Sequence, residues 1–321
     1  MQDEEEEEKD VFPALSLTSE NVPSMEELNC SLDFLLDSVS INRSTQNVIE
    51  RLRRKTTSTI SRRTQAIYDK YRIPPNTEKW VKYRGRYLTA SSFAAVLGVN
   101  KFSSPEAVFL QKTGQVPRFP GNTATQWGHK YEMEAALGFQ YLTREFIVKE
   151  PIGLLIHPYI KKDDPFNAKE RYAATPDFIT FNGALIEVKC PFSRKIQHFV
   201  PAYYLPQVQM QLAVTDTDIC YFVQYKPPTF FERGVTDIVE VYRDRSWFER
   251  VLPVLDAFWD RVLLYHQQVN APLGSLVYEE PKMALRDGAT SFLVAAETKP
   301  ELLRAKIERT CEFVFSDSFF S

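Results

Sequence analysis

A chain of 321 residues, 44% hydrophobic and 25% charged, has the composition of an ordinary globular protein with room for one large domain or two small ones. No stretch approaches the apolar length that spans a bilayer, and the acidic first residues are unlike a signal peptide. Cysteines at Cys30, Cys190, Cys220 and Cys311 give neither zinc spacing nor a dense disulfide framework, which points to a reducing, intracellular compartment.

The net charge of −3 divides unevenly. Residues 1–10 carry −6 and are expected to form a disordered acidic tail, while the remainder carries +3 and can hold nucleic acid through a local patch. Residues 11–76 read as a helical N-terminal extension, with helical spacing over Asn47–Arg54 and Ile60–Tyr71. Arg51, Arg53, Arg54, Lys55, Arg62 and Arg63 make this region basic, and a solvated face is favoured over a DNA contact. Pro74-Pro75 marks the boundary before a core over 77–269.

Leu88–Gly98 reads as a helix started by hydroxyl residues and closed by glycine. Such an N-terminus can bind an anion, and Arg84 could grip a phosphate beside it. Trp127–Leu142 is an amphipathic helix with Tyr131, Ala135, Phe139 and Leu142 on its apolar stripe. Glu132 lies next to that stripe, and on spacing alone it reads as solvated, like Glu134.

The apolar runs Tyr172–Thr180 and Ala184–Val188 flank Asn182-Gly183, a strong hairpin signal. Asp177 falls on the first run, and Glu187 and Lys189 share a face of the second. A two-residue turn would put Asp177 and Glu187 on opposite faces. A three-residue loop, Phe181-Asn182-Gly183, places them opposite each other, with Gly183 supplying the left-handed residue that loop wants. Two carboxylates and a lysine converging there can hold a hard divalent cation and act on a water. The alternative is a surface hairpin with ordinary charges. Against it, Glu187 lies within Leu185-Ile186-Glu187-Val188, which reads as buried, and a buried carboxylate needs a partner or a metal.

Pro201–Val214 has helical spacing at Tyr204, Val208 and Gln211-Leu212. Val235–Tyr242 reads as a strand, and Trp247–Val269 as a long core helix through Val251, Leu255, Phe258, Val262 and Tyr265. Residues 270–321 read as a C-terminal extension with a helix over Lys299–Thr310 and no assignable chemistry.

Four blocks in order carry a resemblance: Tyr83–Ser91, Trp127–Glu132, Thr175-Pro176-Asp177 with Glu187–Pro191, and Tyr204–Gln209. Over roughly residues 78 to 265 the chain resembles lambda exonuclease and the YqaJ-type viral recombinases, within the PD-(D/E)XK nucleases. The extensions on either side suggest a homologue from a large DNA virus, active in the host cytoplasm or at a viral replication site. The resemblance implies an α/β, restriction-endonuclease-like core with a mixed central sheet flanked by helices. It implies that Asp177, Glu187 and the helix-borne Glu132 bind Mg²⁺, with the Val188 carbonyl as a further ligand and two ions per site. Mn²⁺ is an alternative ion. Lys189 would orient or deprotonate the attacking water, and Gln207 and Tyr204 would contact water or phosphate beside it. Arg84, Ser91 and Thr175 would hold a DNA 5′-phosphate, with Thr175 in place of the family's serine and Arg86 as a rival to Arg84. His129 is a poor magnesium ligand by type and would pack or touch DNA. The implied function is 5′-to-3′ degradation of one strand of duplex DNA from its end, leaving 3′ overhangs for recombination or repair. A single-strand annealing partner and a homotrimer belong to that picture. The alternatives are a structure-specific or restriction-like endonuclease and a non-catalytic DNA-end-binding factor.

Overall fold

Side-chain alternation along the two longest strands sets the layers. The computed structural model describes residues 39–270 except 56, 58, 71, 72, 76, 118, 167, 169, 230 and 231. The acidic tail, Cys30, the C-terminal extension beyond residue 270 with Lys299–Thr310, and Cys311 lie outside these. In β7 (Ile219–Lys226), Cys220 and Phe222 face one core cluster, and Tyr221, Val223 and Tyr225 face the other. In β6 (Leu185–Lys189), Leu185 belongs to the first cluster, and Ile186 and Val188 to the second. Two buried faces need two helical layers, so the sheet is sandwiched.

The five-stranded sheet runs β1 (Val39–Ile41), β8 (Gly234–Tyr242), β7, β6, β5 (Phe178–Ile179). It is mixed: β1–β8 and β6–β7 are parallel, while β8–β7 and β6–β5 are antiparallel. One face carries α1 (Arg43–Arg53) and α6 (Thr123–Thr143) through Val48, Ile49, Leu52, Ala135 and Phe139. The other carries α4 (Ala90–Val96), α7 (Leu205–Thr215) and α8 (Trp247–Gln268). A second, three-stranded sheet orders β2 (Leu88–Thr89), β4 (Tyr172–Ala174) and β3 (Leu155–Ile156). The expected mixed sheet flanked by helices is therefore what the chain forms.

The hairpin register is the expected one. Phe178 pairs with Ile186 and Ile179 with Leu185. Thr180 N donates to Ala184 O at 2.8 Å and Gly183 N to Thr180 O at 3.0 Å, enclosing Phe181-Asn182-Gly183 with Gly183 at φ +91°. Tyr172–Thr180, however, is not one strand. It breaks at Thr175-Pro176-Asp177 and passes from the small sheet to the large one. Proline offers no N–H to a ladder, and the Asp177 carboxylate takes the Val188 N–H at 2.9 Å. Asp177 thus precedes β5 instead of lying within it.

The N-terminal helices are present as α1 and α2 (Arg62–Tyr68), capped by the Asn42 and Ser61 side chains. Val48, Ile49 and Leu52 pack in one core cluster and Ile67 and Tyr68 in the other, and β1 extends the main sheet. Several of the basic residues are engaged: Arg51 pairs with Glu240, Arg63 with Asp218, and Arg53 Nε donates to Leu142 O.

Gly153 has φ +81°, and a Cβ there would stand 2.5 Å from Ile73 O, inside the bridge between Ile73 and Leu154. Gly153→Ala should therefore cost about 1–3 kcal/mol, read as a lower urea midpoint at unchanged m-value.

Candidate active site

Glu187 lies in the middle of β6, fully buried, with Phe222 of β7 beside it in register. An ionised carboxylate there needs donors on both oxygens. Helix α7 supplies two of them: Gln207 Nε2 donates to Oε1 at 2.6 Å and Gln211 Nε2 to Oε2 at 2.7 Å. Lys189, two residues on and on the same face, closes an ion pair to Oε1. The Lys189 ammonium also sits 5.1 Å from the centroid of the Tyr204 ring, at the entry to α7.

Asp177 and Glu132 complete the cluster. Burial pushes the Asp177 carboxyl well above its usual pKa, the Glu187 charge adds to this, Lys189 opposes it and Glu132 adds again. Burial raises Glu132 as well, with Lys189 and then His129 opposing and Glu187 adding. His129 Nδ1 stands 3.8 Å from Glu132, largely exposed. Burial opposes the Lys189 charge, but Glu187 and Asp177 outweigh it and raise its pKa above the ordinary lysine value. Three carboxyl groups thus gather around one ammonium, in oxygen donors that suit a hard cation. Among the described residues no three His, Cys, Asp or Glu side chains close on one point, and the Glu187 oxygens are held by Lys189, Gln207 and Gln211. The donor set fits a divalent ion, with Asp177, Glu187, Glu132 and the Val188 backbone as the groups that would hold it.

A second cluster adjoins the first. Arg84, in the last turn of α3 (Glu78–Arg86), donates from Nη2 to Ser91 Oγ at 3.3 Å and stacks on the Trp80 ring at 4.4 Å. Trp80 Nε1 donates to Thr175 Oγ1 at 3.4 Å. Arg84, Ser91 and Thr175, expected together, are thus brought together, with Trp80 as the link. Arg86 instead stacks on Tyr83 at 4.6 Å. The hydroxyl expected to cap the helix does not: Thr89 makes no side-chain cap to α4 and lies 3.4 Å from Ser91 Oγ. Lys112 Nζ donates to the Arg84 and Tyr87 carbonyls at 2.6 Å each, fixing the end of α3.

Sequence reasoning missed Trp80, Lys112 and the role of Gln211. Trp80 stands one helical turn before Arg84, so its spacing offered a signal. Gln211 offered a stronger one, a polar side chain on an otherwise apolar stripe. It joins the two clusters, since Nε2 also reaches Thr175 O at 3.4 Å.

Residues 79–218 match the YqaJ-like viral recombinase domain family. The carboxylates, Lys189, Gln207, Gln211 and the Arg84–Ser91–Thr175 group all fall within the YqaJ-like segment. A protein of Acanthamoeba polyphaga mimivirus is 31% identical over 159 residues, which are 47% of this chain and 29% of that protein. An African swine fever virus protein is 26% identical over 165 residues, 43% of this chain and 46% of that one. The chain thus spans less than half the length of the curated relatives it matches. An alkaline exonuclease from Laribacter hongkongensis aligns at a TM-score of 0.47 and 24% identity, over 60% of this chain and 98% of that one. No helix among the described residues is long and apolar enough to cross a membrane.

Burial and the Glu187 charge make an ionised Asp177 unfavourable in the metal-free protein. Asp177→Asn should raise the melting temperature of the metal-free protein by about 2–4 °C, as about 1 kcal/mol does in a domain of this size. Added Mg²⁺ should raise the melting temperature of the native chain and leave that of the variant almost unmoved, measured by scanning fluorimetry with and without chelator.

Proposed function

We propose that this protein is a Mg²⁺-dependent exonuclease that degrades one strand of duplex DNA from a 5′-phosphorylated end and leaves a 3′ overhang. The observation that carries this is the join between the clusters. Gln211 bonds both Glu187 and the Thr175 carbonyl, and Thr175 is tied through Trp80 to Arg84 and Ser91. A guanidinium and hydroxyls recognise a terminal phosphate, and they stand at a fixed offset from the carboxylates. An endonuclease has no need of such a terminal pocket.

Bound divalent ions, two by family resemblance, would stabilise the attacking and leaving oxygens of the displacement. The chain's own residues supply the rest. Lys189, held protonated by Glu187 and Asp177, acts as a donor that orients water or phosphate, which favours that role over deprotonation. Gln207 fixes the Glu187 rotamer, and Tyr204 packs the lysine from the side. The overhang suits a single-strand annealing partner, and a homotrimer around DNA would give processivity.

Linear duplex with one 5′-phosphate and one 5′-hydroxyl end tests the reading. The phosphorylated strand should disappear first in Mg²⁺, with no cutting of a closed circle and none by Asp177→Ala. Arg84→Ala should remove the preference for phosphate, a loss of about 10- to 100-fold in kcat/KM for one charge-assisted contact. Cutting of the circle would replace this reading with an endonuclease. End binding without cutting would replace it with a non-catalytic factor.

A further inference from the structure

Asp237 of β8 is 1% exposed, and its carboxylate gathers side chains from three distant parts of the chain. Oδ1 accepts from Asn42 Nδ2 at 2.5 Å and Thr45 Oγ1 at 3.2 Å and meets His198 Nδ1 at 3.0 Å, while Oδ2 accepts from Gln224 Nε2 at 3.0 Å. Gln224 Nε2 also reaches the Gln197 and Phe199 carbonyls, at 2.5 and 3.3 Å.

His198 Nδ1 meets two partners at once. Asn42 Oδ1 accepts from Thr45 N, which fixes Nδ2 as the atom 2.6 Å from His198 Nδ1. The ring nitrogen accepts from Asn42 in one tautomer and donates to Asp237 in the other, and either bond ties the ring to the same buried cluster.

The segment held there is 190–201. It has no helix or strand of its own, and it runs from Lys189 to the short 3₁₀ turn Ala202–Tyr204 and α7. On the way Phe192 meets Trp127 of α6 at 5.4 Å, and the Arg194 guanidinium lies 6.0 Å from the Tyr204 ring. With no backbone ladder, its path depends on side-chain anchors. His198 is itself 59% exposed, so burial of its ring is not what holds it.

We propose that His198 is a positioning residue: docked on Asp237, it fixes the loop that sets Lys189 against Tyr204 and Gln207. Asn42 and Thr45 hold the same carboxylate, which makes residues 39–53 part of the device. The catalytic readout rests on the nuclease reading above, so the test includes one that does not. His198→Ala in the full chain should slow single-turnover cleavage about tenfold, the effect of one hydrogen bond to a charged group, with DNA affinity and urea midpoint unchanged. His198→Asn, whose amide offers both a donor and an acceptor where Nδ1 stood, should restore the rate to within about threefold. In metal-free protein, amide exchange over 190–201 should quicken in His198→Ala alone, while β7 and β8 keep their protection. Unchanged exchange over 190–201, a native rate in His198→Ala, or failure of His198→Asn to rescue would overturn the proposal. If the native chain cuts no DNA while exchange responds as stated, the nuclease reading falls and the loop anchor stands.

Discussion

The buried charge of Glu187 is the constraint from which the arrangement of the site follows. An ionised carboxylate inside an apolar strand costs several kcal/mol unless its oxygens are satisfied in place. Strand β6 can offer one polar partner, Lys189, because the other residue two positions away on that face, Leu185, is apolar. The remaining donors come from outside the sheet. The crossover between the parallel strands β6 and β7 supplies them, since α7 returns over that face with Gln207 and Gln211 one turn apart. Helix α7 is thus placed by polar satisfaction as much as by Val208 and Leu212, which pack in the core beneath it.

The break at Pro176 has a parallel consequence. An unbroken strand through residues 172–180 would leave Asp177 paired in a ladder and Thr175 committed to the same sheet. Leaving the small sheet at Ala174 and entering the large one at Phe178 frees both side chains at once. Asp177 turns to the Val188 N–H and Thr175 toward Trp80, so the two clusters are held a few bonds apart by one short segment. Under the exonuclease reading, that spacing sets how far from the terminal phosphate the cut falls.

The hairpin was legible in the letters because strand period is two and Gly183 favours one loop length, so simple arithmetic on residue numbers gave the register. The long helices were legible for a similar reason. The break within 172–180 was not, because both halves are apolar and periodicity cannot show a change of sheet. β1 has three residues, too few for any period, and Asn42, which follows it, is 195 positions from the Asp237 it bonds. The Thr89 cap was expected from residue type, but the choice between capping a helix and turning toward Ser91 depends on tertiary surroundings.

A second buried ionic group shows why the carboxylate centre reads as a site and not as scaffolding. Arg171, fully buried just before β4, pairs with Asp164 at 2.5 Å and Asp260 at 2.7 Å. Asp256 beside them accepts from the Tyr172 and Tyr159 hydroxyls at 2.6 and 2.7 Å. Burial works against the Asp164 charge, but the bond from Arg171 wins and its pKa ends below the ordinary carboxylate value. At Asp177 the balance runs the other way: burial and Glu187 outweigh Lys189, and the pKa ends well above. Both clusters pack acids around a base. At Asp177 burial and a neighbouring carboxylate prevail over the base, and a divalent cation is the group that would reverse that balance.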